Sequence, residues 1–258
     1  MARPNERGRG GGRGGRGGAR RGGRSGRSRG APSPAGGGEA PEPLHTSDQA
    51  PDIQSFTEWD LGPEIQATIA GMGITVPTPI QRLAIQPVLD GRDVIAKAET
   101  GTGKTLAFGA PMMAKIEAGR STVLGLVLCP TRELAQQVAN VLNQLAEPRG
   151  LSVALVVGGD PMHGQVQALQ AGAQVVVGTP GRVLDLYGQG FLQFPWTEYV
   201  VLDEADEMLE IGFIDDVKKI LSFTPDERQT LLFSATFPPE LLKLARGATR
   251  PAGGPHAE

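Results

Sequence analysis

A glycine-rich segment in the first half of the chain carries residue types that bind phosphate. Its members are Ala98, Glu99, Thr100, Gly101, Thr102, Gly103, Lys104 and Thr105. Glycines let backbone N–H groups turn towards phosphate oxygens, and the N-terminus of a following helix adds positive charge. In this pattern the lysine reaches the terminal phosphates and the last hydroxyl ligates Mg²⁺. The common pattern has glycine where this chain has Ala98, and a glycine-rich turn that only caps a helix is the alternative.

Two acidic residues, Asp203 and Glu204, follow an apolar run at residues 199–202. Asp203 is a candidate to hold Mg²⁺ through water, and Glu204 to orient or deprotonate an attacking water. Two acids after a strand can also form a simple helix cap. Because the phosphate-binding pattern stands upstream, nucleotide hydrolysis is the favoured interpretation, with Lys104, Asp203 and Glu204 as the candidate catalytic residues and Thr105 and Asp203 as the metal ligands.

The elements that must position these residues alternate between short β-branched runs and longer segments of helical period. This order predicts an α/β fold with a mostly parallel sheet flanked by helices. Six strands are predicted, at residues 93–97, 124–129, 153–157, 174–177, 199–202 and 230–233. Six helices are predicted, at residues 103–117, 132–147, 162–170, 181–187, 215–221 and 239–246. Ligands of such sheets bind at the carboxyl ends of the strands, where the motifs fall.

The chain of 258 residues is 39% hydrophobic and divides by composition. Residues 1–30 hold ten arginines against one acid, Glu6. Because that segment carries +9 and the whole chain −3, the remainder carries −12. Such an arginine and glycine run cannot bury enough apolar surface to order itself. We therefore expect a disordered tail and linker over residues 1–52, one folded domain over 53–246, and a disordered end over 247–258.

One cysteine, Cys129, excludes an intrachain disulfide and favours a reducing compartment. The basic N-terminus has no apolar segment behind it, and no stretch is long and apolar enough to span a bilayer. These features predict a cytoplasmic protein with no membrane partner and with Cys129 in its core.

Seven ordered motifs resemble those of the DEAD-box helicase family. Asp203, Glu204, Ala205 and Asp206 spell the family's name motif. Residues 73–81, ending at Gln81, resemble the Q motif, and Phe56 stands where the family places an aromatic that stacks on adenine. Similarity to the RNA-contacting motifs lies in Pro130, Thr131 and Arg132, in Gly158 and Gly159, and in Thr179, Pro180, Gly181 and Arg182. Ser234, Ala235 and Thr236 resemble the motif that couples hydrolysis to strand separation.

The resemblance covers roughly residues 53–246. It implies a RecA-like P-loop NTPase domain, ATP with Mg²⁺, and RNA held by its sugar and phosphate backbone. Gln81 would read the adenine edge, and residues 98–105 with Phe56 would complete the ATP site.

Several of these residues also have simpler explanations. Arg132 and Arg182 each follow a strand end near the start of a helix, where guanidinium and backbone N–H groups can meet phosphates. Arg132 could instead pair with an acid such as Glu133, and the Gly158 and Gly159 pair could be only a turn. Gln81 could be an exposed helix residue, and Phe56 a core aromatic.

In the family, a second RecA-like domain follows the segment around Thr236 and contributes arginines to the ATP. Residues 247–258 resemble linker rather than a strand. We therefore expect this chain to need a second RecA-like domain in trans for efficient hydrolysis and unwinding. The alternatives are a non-catalytic, nucleotide-gated RNA-binding module and another P-loop machine such as a DNA translocase.

Overall fold

The computed structural model describes residues 43–45 and 50–250. Within them the chain forms seven strands, which are β1 Leu44–His45, β2 Val94–Lys97, β3 Gly125–Leu128, β4 Val153–Val156, β5 Val175–Gly178, β6 Tyr199–Asp203 and β7 Gln229–Ser234. The α-helices are α1 Pro63–Gly71, α2 Pro79–Leu89, α3 Lys104–Lys115, α4 Arg132–Ala146, α5 Met162–Gln170, α6 Pro180–Gly188, α7 Ala205–Ile211, α8 Ile214–Leu221 and α9 Pro239–Ala248. Of the tail and linker predicted over residues 1–52, residues 1–42 and 46–49 lie outside the described residues.

The strands form one sheet in the order β1-β2-β7-β6-β3-β5-β4, and every pairing is parallel. The α/β prediction is confirmed, and the six predicted strands occur with no end shifted by more than one residue. The prediction of a disordered tail and linker over residues 1–52 is wrong at residues 44–45. These residues pair with Ala96 and Lys97 at the edge of the sheet, because Leu44 packs against the core beside β2.

The sheet separates two apolar layers. Alternate residues of a strand point to opposite faces, and in β7 Leu231 and Phe233 join one layer while Leu232 joins the other. Helices α1 to α4 cover the first layer, and α6 to α9 cover the second. Cys129, directly after β3, is fully buried, as predicted. Each motif that follows a strand therefore stands on a sheet packed on both sides.

The C-terminal end of the described chain is anchored to the start of β2. Helix α9 continues to Ala248, and Arg250 donates from its side chain to the buried carboxylate of Asp93 at 2.9 Å. The Arg250 backbone N–H also donates to Asp93, at 2.5 Å, and the Thr230 N–H donates to the same carboxylate at 3.0 Å. The predicted disorder of residues 247–258 is thus wrong for residues 247–250, because Arg250 is bound by the buried carboxylate of Asp93. Residues 251–258 lie outside the described part.

Because all strands run the same way, their carboxyl ends meet at one edge of the sheet. The C-terminal ends of β2 to β7, with the segments that follow them, contain every predicted motif except Phe56 and Gln81. Within residues 43–45 and 50–250, no helix combines the length and apolar character needed to cross a bilayer.

Candidate functional site

The glycine-rich loop turns sharply between β2 and α3. Gly101 has φ 81° and Gly103 has φ 89°, a left-handed conformation that glycine adopts without steric cost. A Cβ atom at Gly103 would lie 2.5 Å from Nε2 of Gln81. Thr102 donates its hydroxyl to the Glu99 carbonyl at 2.7 Å, which closes the turn. The loop therefore has the strand, turn and helix context that the phosphate-binding pattern requires.

Gln81 holds this loop from the side of α2. Its side chain is 2% exposed, and its Nε2 donates to the Gly103 carbonyl at 3.0 Å. Its Oε1 accepts from the backbone N–H of Thr78 at 2.8 Å. The simpler explanation of Gln81 as an exposed helix residue is thus wrong. The carboxamide connects the Q-motif helix to the glycine-rich loop, and its reading of adenine stays a prediction.

Lys104 brings the loop and the two acids into one cluster. Its side chain is 5% exposed, and its Nζ lies 3.3 Å from Oε1 of Glu204 and 3.8 Å from Oδ1 of Asp203. The ammonium group also donates to the Ala98 carbonyl at 3.3 Å. Segments about a hundred residues apart in sequence thus place one cation against two carboxylates.

Glu204 stands on a strained turn between β6 and α7. It is the only non-glycine residue with positive φ in the described part of the chain, at 53°. Such a conformation costs of order 1–3 kcal/mol and tends to occur at functional sites. The Thr100 hydroxyl donates to Glu204 Oε1 at 2.7 Å, so the carboxylate contacts both the loop and Lys104.

Asp203 ends β6 with a carboxylate that is almost wholly buried. Burial raises its pKa to about 6; the positive charge of Lys104 opposes this rise, and the negative charge of Glu204 adds to it. Its Oδ1 is buried and has no hydrogen-bond partner among residues 43–45 and 50–250. A hard oxygen ligand of this kind suits Mg²⁺. Thr105, partly buried on the first turn of α3, is the second predicted ligand, and a carboxylate with a hydroxyl is a donor type that fits Mg²⁺.

The segment after β7 is bonded to the segment after β6. Ser234 Oγ accepts from the backbone N–H of Asp206 at 3.1 Å and donates to the Thr236 carbonyl at 2.8 Å. Thr236 in turn donates to Asp206. Ala235, between them, belongs to the same turn. The predicted coupling motif and the acidic motif therefore form one hydrogen-bonded unit.

The predicted RNA-contacting segments follow three neighbouring strands, β3, β5 and β4. Pro130, Thr131 and Arg132 lead into α4, where Thr131 caps the helix by accepting from the Leu134 N–H at 3.3 Å. Thr179 precedes α6, whose first residues are Pro180, Gly181 and Arg182. Gly158 and Gly159 follow β4, and Gly159 has φ 82°. The structure thus brings all three segments to one edge of the sheet.

The two arginines of this surface are both engaged with Asp160. Arg132 lies 2.5 Å from the Asp160 carboxylate, so it does pair with an acid, as the simpler explanation has it, but the acid is Asp160 rather than Glu133. Arg182 donates to the backbone carbonyl of Asp160 at 3.2 Å and lies 3.6 Å from the Asp185 carboxylate. Gly159, at φ 82°, makes the turn, and the Arg132 guanidinium lies against it where a Cβ would stand.

Phe56 does not lie open at the site. Its ring is 4% exposed and packs edge-to-face on Trp59 at a centroid distance of 5.6 Å. This structure supports the alternative of a core aromatic, and stacking of Phe56 on adenine stays a prediction.

With this geometry established, comparison with known proteins decides the family. A family model described as DEAD/DEAH box helicase matches residues 78–244. The chain belongs to this family. The DEAD-box ATP-dependent RNA helicase CshA of Streptococcus pneumoniae is 45% identical over 189 residues, which cover 73% of this chain and 36% of that protein. RNA helicase CrhR of Synechocystis sp. is 47% identical over 190 residues, covering 74% and 38% respectively.

The fold of this DEAD-box chain is also that of a solved family member. The crystal structure of a DEAD box protein from the hyperthermophile Methanococcus jannaschii matches it with a TM-score of 0.73 at 40% identity, covering 76% of this chain and 54% of that one. The described domain is therefore RecA-like. The chain spans well under half the length of CshA and of CrhR.

Three further residues of this DEAD-box domain contact predicted site residues or the turns that carry them, although none is among the site residues predicted from the sequence. Asp206, the last residue of the acidic motif, accepts from Thr236. Asp160 engages both arginines. Gln165 of α5 is 7% exposed and donates to the Val157 carbonyl at 2.9 Å, which supports the turn at Gly158. Asp160 could have been identified from the sequence by its position directly after two glycines at the end of a strand.

Proposed function

We propose that residues 50–250 form the ATP-binding wall of an ATP-dependent RNA helicase. The observation that carries this proposal is the cluster of Lys104 with Glu204 and Asp203, at 3.3 and 3.8 Å, beneath a glycine-rich loop. Such a cluster serves phosphoryl transfer, where positioning and charge stabilisation supply nearly all of the catalysis.

Each residue of the cluster has a distinct proposed role. Lys104 exchanges its contact with Glu204 for the terminal phosphates, which carry more negative charge than one carboxylate. Glu204, released from Lys104 and Thr100, orients a water and accepts its proton. Asp203 and Thr105 would hold Mg²⁺, which when bound neutralises charge on the phosphates of ATP.

The RNA surface is proposed to lie along the ends of β3, β5 and β4. Arg132 and Arg182 supply guanidinium groups there, and the first turns of α4 and α6 supply free backbone N–H groups. These groups bind phosphates without reading base sequence. The RNA helicase names of CshA and CrhR support RNA as the polymer.

Efficient turnover is proposed to require a second RecA-like domain. Phosphoryl transfer is accelerated by positive charge that faces the transferred group from the side opposite the phosphate loop. In this proposal the second domain supplies that charge, and closure of the two domains on RNA distorts a duplex. By itself the described domain binds ATP or ADP and single-stranded RNA.

Titration calorimetry of Lys104→Ala with ADP and Mg²⁺ tests the nucleotide site. The variant should bind ADP at least tenfold more weakly than wild type, because the phosphates lose their main cationic partner. Lys115→Ala is the matched control, since Lys115 lies at the other end of α3 and should bind as wild type does. Equal ADP affinity for Lys104→Ala and wild type would contradict the proposed phosphate loop.

A further inference from the structure

Asp160 places a carboxylate against the proposed RNA surface. Its side chain lies 2.5 Å from the Arg132 guanidinium, and its backbone carbonyl accepts from Arg182 at 3.2 Å. One residue thus engages both cations that are proposed to bind RNA phosphates. We infer that the Asp160 carboxylate competes with RNA phosphate for Arg132 and so tunes the affinity of this surface. This inference rests on the proposed function and adds a residue that regulates the same site.

The local backbone explains how Asp160 reaches Arg132. Gly159 has φ 82° and lacks a Cβ, so the Arg132 guanidinium lies directly over it. The chain then turns at Asp160 before Pro161 begins the approach to α5. Gln165, donating from α5 to the Val157 carbonyl, holds the other side of this turn. The turn and its hydrogen bond from Gln165 thus place the short Asp160 side chain against Arg132.

Carboxylate and phosphate compete because they use the same chemistry. A guanidinium donates paired N–H groups in a fork that fits either anion. A guanidinium that donates this fork to Asp160 cannot donate it fully to RNA. Arg182 is held further, since it also lies 3.6 Å from the Asp185 carboxylate. RNA binding would thus require Arg132 to exchange one anion for another, with Asp160 left beside a phosphate of like charge.

The pair is weak enough to be exchanged. Both side chains of the Arg132 and Asp160 pair are 45% exposed, so water and salt screen the attraction. Exposed pairs of this kind typically contribute at most a fewfold to an equilibrium constant. Asp160 therefore tunes RNA affinity by about two- to fivefold at low salt, rather than switching binding off.

The exchange also changes the number of ions released on binding. When RNA takes Arg132, one phosphate loses its counterion, while the freed Asp160 carboxylate attracts a cation from solution. Removing the carboxylate removes that uptake. For single strands, each neutralised phosphate contributes roughly 0.7 to the slope of log affinity against log salt. Asp160→Asn should therefore steepen this slope, by at most about 0.7.

The test uses fluorescence anisotropy to measure RNA binding to the full chain across a salt series. The RNA is a fluorescein-labelled oligouridylate of about 12 nucleotides, a length within the usual single-strand site sizes. Asp160→Asn should raise affinity about two- to fivefold at low salt, steepen the slope, and leave ADP affinity unchanged. Asp160→Ser should act in the same direction, and Asp160→Glu, which keeps the charge, should stay near wild type. Asp215→Asn is the matched control, since it removes an equal charge from an exposed ion pair with Lys218 on α8.

The outcomes separate this inference from the proposed function. If Arg132→Ala weakens RNA binding but Asp160→Asn and Asp160→Ser leave affinity and slope unchanged, the inference about Asp160 is wrong and the RNA surface stands. If Asp215→Asn raises affinity as much as Asp160→Asn, the effect is one of net charge and the inference is again wrong. If Arg132→Ala binds RNA as wild type does, both the proposed RNA surface and the competition at it are overturned.

Discussion

Thr236 donates two hydrogen bonds to one carboxylate oxygen of Asp206, from its backbone N–H and from its hydroxyl, each at 2.8 Å. The two residues lie after different strands, β7 and β6, which are neighbours in the sheet. The bonds join the turn at residues 234–236 to the segment that carries Asp203 and Glu204. These bonds link the two segments directly, and the coupling role of Ser234, Ala235 and Thr236 stays a prediction.

The bonds at Asp206 predict a pH-dependent contribution to stability. Burial alone would raise the pKa of Asp206, but hydrogen bonds to its carboxylate, including the two from Thr236, outweigh it and hold the pKa below the ordinary 3.8. A depressed carboxyl pKa means that the native state favours the charged form. The stabilisation is therefore present above pH 3.8 and is lost as the pH falls through the lower folded pKa.

Asp206→Asn should accordingly lower the free energy of unfolding at pH 7 by about 1 kcal/mol, since the accepting group is charged but only partly buried. Urea denaturation of both proteins from pH 7 down to pH 3 measures this difference, which should shrink at the acid end. Glu117→Gln, at an exposed position after α3, is the control. A difference that stays constant over the whole pH series would argue against a charged Asp206 as the acceptor.

The ion pair of Arg250 with Asp93 predicts a second effect on stability. The Asp93 side chain is 2% exposed, and removing the guanidinium leaves a buried charge with only backbone donors. Arg250→Ala should destabilise the domain by about 2–4 kcal/mol, whereas Arg246→Ala, on the exposed face of α9, should change little. Urea denaturation at pH 7 measures both. Equal midpoints for Arg250→Ala and wild type would show that the C-terminal segment does not anchor β2.

Local pattern is sufficient to predict most of the sheet. The apolar run at β6 and the glycine-rich loop after β2 are each contiguous in sequence, so their strand, turn and helix order is predictable. Helices α1 and α2 are absent from the prediction, because no helix is predicted before the first predicted strand. Helix α7 is absent from it because residues 203–206 are interpreted only as a motif. The strand Leu44–His45 is absent from it because two residues carry no periodicity.

Contacts between distant segments limit the prediction of the site. Residues 98–105, Asp203 and Glu204 are identified from type and order, and the structure places them in contact. The partners of Gln81, Arg132 and Arg250 are not predictable, because each depends on how separate strands end in space. Arg250 and Asp93 are separated by 157 positions. Phe56 shows the reverse case, since its motif position suggests ligand contact where the structure has core packing.

The arginine-rich tail leads to a prediction about salt dependence. Residues 1–30 carry ten arginines interleaved with glycine, and arginine contacts phosphates and stacks on bases. We propose that this segment is an RNA anchor without sequence preference. Deleting residues 1–40 should flatten the slope of log RNA affinity against log salt, by roughly 0.7 for each phosphate that the tail neutralises. An unchanged slope would favour a purely solubilising segment.

If this DEAD-box domain supplies one wall of an RNA-stimulated ATPase, the rate of ATP hydrolysis tests its role most directly. The rate should be measured with and without single-stranded RNA, for the 258-residue chain alone and for the chain fused to or mixed with the second RecA-like domain of a related helicase. We expect the chain alone to be nearly inactive, and the combination to hydrolyse ATP about 10³ to 10⁵ times faster with RNA present.

In that combination, Glu204→Gln should retain ATP binding and lower the rate by about 10² to 10⁴. Comparing DNA with RNA in the same assay distinguishes a DNA translocase, and ATP binding without hydrolysis in the combination would favour the nucleotide-gated RNA-binding module. We predict RNA-stimulated hydrolysis that occurs only with the second domain and depends on Glu204. Robust ATP hydrolysis and duplex unwinding by the purified chain alone would contradict the proposed role.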